Sequence, residues 1–161
     1  MGAYTKIKLT GYNPQVKRFF MSYMTKFLKD IEKFNEMYRL PNNTKPTNLG
    51  PERAYNFKKI LWEEVEEGEQ LIMHLEDQGF DLDTQAELAD WLGDIIVYCA
   101  SEARRWGIPM DKTLKIIMES NFSKLDSAGQ PVYDDRGKVL KGPDYFKPEA
   151  KLSKMLKRRN K

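Results

Sequence analysis

The chain has 161 residues, 40% of them apolar and 32% charged, and a net charge of +3. That length suits one domain with a self-sufficient core, and the composition excludes a disordered chain. A single cysteine, Cys99, excludes an intramolecular disulfide framework. With no secretory leader pattern and no apolar run near the ~20 residues of a membrane span, a cytoplasmic protein without a membrane partner is expected.

In chain order, residues 1–15 carry Gly2, Gly11 and Pro14 and give no firm helix signal. Val16 to Tyr38 has apolar residues at helical spacing, among them Phe27, Leu28, Ile31 and Phe34. Leu40 to Pro51 reads as a loop, with three prolines and three asparagines. A second helix is expected from Pro51 to about Leu75, because proline suits a first helical turn. Asp83 or Thr84 can cap a third, running to Trp106 and stopping at Gly107. Asp111 can cap a fourth, from Lys112 to Lys124. Beyond it, Asp134 to Gly137 suits the turn of a small hairpin. The last eight residues, Lys154 to Lys161, read as a frayed basic tail.

The chemistry is concentrated in the second and third helices. At 100° per residue, Phe57, Ile60, Leu61, Val65, Leu71, Ile72 and Leu75 make one broad apolar face. Glu64 and Glu67 point into that face, Glu63 lies at its edge, and Glu66 and Glu69 point away. On the third helix, Glu87, Asp90 and Asp94 form a stripe on an otherwise apolar or small circumference, so Asp90 and Asp94 are expected inside the protein. A buried carboxylate without a partner costs several kcal/mol or takes up a proton. A cation relieves that cost. An all-oxygen ligand set selects Mg²⁺, with Mn²⁺ a substitute, over softer metals. The single histidine, His74, excludes a di-iron bundle with two Glu-x-x-His motifs.

Glu63-Glu64-Val65-Glu66-Glu67 followed by Glu87-Leu88-Ala89-Asp90 resembles the signature of the all-α nucleoside triphosphate pyrophosphohydrolases, the superfamily of MazG-like and phosphoribosyl-ATP pyrophosphohydrolase-like proteins. A second register, measured back from Gly107-Ile108, uses Asp94 and places Trp91 where the family has a glutamate. Ser120-Asn121-Phe122-Ser123-Lys124 and Gly137 to Pro148 resemble later motifs of the same superfamily, so the likeness spans residues 31–148. Residues 1–30 then form an N-terminal extension and residues 149–161 a basic tail.

The resemblance implies an antiparallel bundle of four to five helices with a C-terminal loop or short hairpin, acting as a homodimer or homotetramer. It implies hydrolysis of a (d)NTP to (d)NMP and pyrophosphate, with dGTP, dUTP and dCTP all candidate substrates and no nucleic acid polymer required. Glu63, Glu64, Glu67, Asp90 and Asp94 are the implied metal ligands. Glu63, Glu64 and Glu67 are the implied catalytic carboxylates, with base and ligand roles left open. Asn121, Lys124, Lys138, Lys141 and Tyr145 are the implied substrate contacts. Phosphoribosyl-ATP cleavage on the same fold, and a helical partner-binding module with decorative acids, are the alternatives.

Overall fold

The computed structural model describes residues 14–159, with side chains from residue 23 onward. Among the described residues there are helices and no strand: α1 (Pro14–Met37), α2 (Gly50–Gln78), α3 (Leu82–Arg105), α4 (Met110–Phe122) and α5 (Glu149–Lys157). The chain is therefore all-α, as its periodicity predicts. Residues 1–13, where the sequence gives no firm helix signal, and the last two residues of the basic tail lie outside the described residues. The described residues divide into two compact units, residues 29–108 and residues 14–28 with 109–159. No described helix is long and apolar enough to cross a membrane.

The unit of residues 29–108 is built on an antiparallel pair, α2 against α3. The less exposed positions of α2 include Phe57, Leu61, Glu64, Gly68, Leu71 and Leu75. Those of α3 include Thr84, Leu88, Trp91, Ile95, Tyr98 and Glu102. Both sets step by four and three, the spacing of a seam between two long helices. Antiparallel direction follows from the ties along it: Arg53 to Glu102 at one end, Gly68 under Trp91 midway, His74 to Glu87 at the other.

Gly79 turns the chain between the helices at φ 75°, a backbone that L side chains resist. The cap of α3 is Asp81, whose Oδ1 accepts from the Thr84 N–H at 2.9 Å; it is neither Asp83 nor Thr84, the residues expected from sequence. That hydrogen bond holds the Asp81 carboxyl below its ordinary range, against a smaller opposing push from burial. Thr84 is buried and donates its own hydroxyl to the Gly79 carbonyl at 2.8 Å, so it fastens the turn.

A polar network closes the other end of the hairpin. Asn35 of α1 is fully buried; its amide donates to the carbonyls of Pro41 and Ser101, and its Oδ1 accepts from the Ser101 hydroxyl at 2.6 Å. The Asn43 amide donates to the Arg105 carbonyl at 2.6 Å, and Arg104 bridges Asn42 and Glu32. The asparagine-rich loop thus satisfies carbonyls that the end of α3 leaves open. Gly107, at φ 70°, lies against it: a Cβ there would stand 1.8 Å from the Lys45 carbonyl oxygen.

In the other unit, α5 packs against α4. Of the tail expected to fray from Lys154, residues 154–157 are instead the last turn of α5. Leu152, Met155 and Leu156 cover one face, and this apolar stripe gives the helix its partner. The expected hairpin reduces to one antiparallel bridge, Tyr133 with Val139, around a turn in which Asp134 Oδ1 accepts from the Arg136 and Lys138 N–H groups.

Candidate active site

Glu64 occupies a seam position of α2 and is 5% exposed, and its Oε2 has no hydrogen-bond donor. Desolvation pushes its carboxyl upward, and the charges of Glu67, Asp94, Glu63 and Asp90 push it further, in that order. These are the carboxylates that helical geometry singles out from sequence. Two helices therefore set four acids within electrostatic reach of one buried carboxylate. No side-chain hydrogen bond or ion pair among the described residues engages Glu63, Glu67, Asp90 or Asp94.

Asp90, Asp94 and Glu67 depart from expectation in burial: all three are exposed. The apolar circumference of α3 demands cover all round, but α2 covers only one stripe of it. Leu92 and Ile96 stay 48% and 58% exposed. On α2, Val65 and Ile72, assigned to the buried face, are 52% and 56% exposed. The hairpin so has two unlike rims. By helical position, the acids lie to one side of the seam and Val65, Ile72, Leu92 and Ile96 to the other.

Trp91 is a packing residue. Its indole lies on Gly68, where a Cβ would come within 2.7 Å of the ring, and its Nε1 donates to the Glu64 carbonyl at 2.7 Å. A large ring at this site needs a glycine opposite, and the bond fixes the backbone that carries Glu64. Glu87 is engaged elsewhere, 2.8 Å from His74 Nδ1. It is not among the charges acting on Glu64. Asp94, in contrast, is among them.

Tyr98 escapes the motif reading. It follows Asp94 by one turn, on the seam and half-buried. Burial raises its phenol, and the charges of Glu64, Asp94, Glu67 and Glu63 raise it more. The signal in sequence is the Asp94–Tyr98 spacing, hidden among the apolar residues of α3. Glu102 escapes it too: it is 6% exposed and held by Arg53 at 2.5 Å and by the Trp106 Nε1–H at 2.6 Å. That is a structural clamp on the start of α2.

Phe34 of α1 and Tyr38 just beyond it pack on each other at 4.7 Å between centroids. Trp62 is open. With Tyr55, Lys58, Lys59, Glu63 and Glu66 it lines a groove of about 450 Å³ on the outer face of α2, so Glu63 borders both the groove and the acidic rim.

The remaining expected site residues lie in the unit of residues 109–161, and the two motifs that carry them join. Gly142 N–H donates to the Lys124 carbonyl at 3.0 Å, and a Cβ on Gly142 would collide with the Leu125 carbonyl. The Ser120 hydroxyl donates to the Phe146 carbonyl at 2.8 Å, and the Phe146 N–H donates to the Ser123 hydroxyl. Lys124, Lys141 and Tyr145 are thereby gathered at the end of α4, with Lys141 Nζ 4.9 Å above the Tyr145 ring. Lys138 sits apart, on the turn, and Asn121 is exposed.

Among the described residues, no three histidine, cysteine, aspartate or glutamate side chains converge as a ready-made metal cage. In kind, the acidic rim still suits a hard divalent cation: its donors are all oxygen, one is buried without a donor, and their mutual repulsion calls for a counter-charge. Neither protein-family models nor curated proteins return a match to this chain.

Proposed function

We propose that the chain is a nucleoside triphosphate pyrophosphohydrolase that converts a (d)NTP to (d)NMP and pyrophosphate. The observation that carries this reading is the buried, donorless Glu64 carboxylate with four further acids acting on it. Structure maintained at such a cost points to a ligand that removes the cost. Mg²⁺ or Mn²⁺ held by Glu64, Glu67, Asp90 and Asp94 would neutralise phosphate charge and acidify a bound water.

The chain's own groups then divide the work. Glu63, on the open edge of the rim, accepts the proton of the attacking water. Trp91 and Gly68 hold the Glu64 backbone in register. Tyr98, kept protonated by burial and by the acids, offers a hydroxyl donor beside the carboxylates. In the other unit, Asn121, Lys124, Lys138 and Lys141 are the phosphate contacts that the resemblance implies, and Lys141 lies over the Tyr145 ring. Trp62, beside Glu63, is the surface for a stacked base. The apolar rim of Val65, Ile72, Leu92 and Ile96 supports self-association as a homodimer or homotetramer.

The test is incubation with each (d)NTP and Mg²⁺, followed by product identification. Monophosphate with pyrophosphate, absent in EDTA, is the expected result. Orthophosphate release, or no turnover of any nucleotide, refutes the reading.

A further inference from the structure

The basic C-terminal segment has a structured basis that its composition alone does not reveal. Residues 147–161 hold seven lysines and arginines against one acid, Glu149. Most of that charge is carried on or beside α5. Its apolar side chains Leu152, Met155 and Leu156 are half-buried, whereas Lys154, Lys157 and Arg158 are exposed. Lys151 anchors the near edge: its Nζ is 3.1 Å from Glu119 of α4 and 3.7 Å above the Phe146 ring. Lys154, Lys157 and Arg158 make no ion pair among the described residues.

We propose that the outward face of α5 is a docking strip for the phosphate backbone of a nucleic acid. Lys154, Lys157 and Arg158 share one helical face, so their charges form a line along the axis. A line of cations without intervening acids matches a linear polyanion, whose neutralisation releases counterions. An anionic membrane is the other partner for a basic amphipathic helix, but it takes the apolar face into the lipid. Here that face is committed to protein. Lys154, Lys157 and Arg158 are not among the proposed phosphate contacts of the hydrolase, and the inference does not rest on the hydrolase reading.

The test uses the full chain in EDTA, with a fluorescent single-stranded DNA of about twenty nucleotides read by anisotropy. For about five phosphate contacts, affinity falls about 100-fold between roughly 50 and 200 mM salt. Combining Lys154→Ala, Lys157→Ala and Arg158→Ala flattens the slope of log affinity against log salt by about 2 units. It leaves helical circular dichroism and any nucleotide KM unchanged. Lys58→Ala with Lys59→Ala, on the acidic helix α2, leaves DNA binding as in wild type. Lys154→Glu alone weakens binding and serves if the triple variant does not fold. The proposal is overturned by absent binding at low salt, by an unchanged slope in the triple variant, by an equal loss in the α2 control, or by capture on phosphatidylserine vesicles without DNA binding.

Discussion

Glu64→Gln should make the metal-free protein more stable while abolishing its activity. Glu64 is 5% exposed, its Oε2 lacks a donor, and four carboxylates act on it. A buried acceptor left without its hydrogen bond costs about 1–3 kcal/mol. Glutamine keeps the shape and an unmade bond but removes the charge, so recovery of about 1–2 kcal/mol is expected. At about 2–4 °C per kcal/mol for a chain of this size, Tm rises by about 4 °C in EDTA. The pH sign follows from the raised carboxyl. The folded state holds the proton more tightly than the unfolded one, so the wild-type penalty grows as pH rises through the ordinary glutamate range and disappears below it. The gap between the proteins therefore narrows in acid. Mg²⁺ at ten times its Kd stabilises wild type by about 1.4 kcal/mol and does little for the variant. Differential scanning fluorimetry with and without Mg²⁺, at two pH values, reads all of this. A variant less stable than wild type in EDTA, or a wild-type midpoint indifferent to Mg²⁺, refutes the reasoning.

The two registers of the second acidic motif separate by mutation. Asp94→Asn should abolish turnover, whereas Glu87→Gln, which alters a residue paired with His74, should retain most of it; steady-state rates that fall equally would reject the Asp94 register. Gly68→Ala gains helix propensity of about 1 kcal/mol but drives a Cβ to 2.7 Å from a ring pinned by its own hydrogen bond, so urea denaturation should show a net loss of about 1–2 kcal/mol. Lys124→Ala should raise KM several-fold with kcat little changed, as expected for uniform phosphate binding. A loss confined to kcat would assign Lys124 to the transition state instead.

Local rules made the helices legible. Proline at the head of α2, Gly79 and Gly107 as stops, and 3.6-residue periodicity act within a few residues of themselves. Two features were out of reach for the same reason. Asn35 looks like one more polar residue in an amphipathic helix, yet its partner Ser101 lies 66 positions away. The asparagines of the 40–51 loop announce a loop, but not that they satisfy the end of α3. Hydrogen-bond closure over such distances has no periodicity to detect.

The carboxylates illustrate both sides. Residue spacing placed Glu63, Glu64 and Glu67 on one helix and Glu87, Asp90 and Asp94 on the next, and all of the others but Glu87 act electrostatically on Glu64. It misjudged their depth, because depth depends on what covers a helix and not on how apolar it is. α3 is apolar almost all round, yet one neighbour covers one stripe, and Leu92 and Ile96 stand open opposite Asp90 and Asp94. The hairpin is left asymmetric: one buried acid among exposed ones on one rim, uncovered hydrophobic side chains on the other. Exposed acids can exchange water and ligand freely, which a cluster sealed in a core cannot. Glu64 alone keeps the desolvation that makes a counter-charge valuable. The misjudged burial therefore removes the desolvation argument from Glu67, Asp90 and Asp94 and concentrates it on Glu64, so the case for a bound cation rests on that one carboxylate and the charges acting on it.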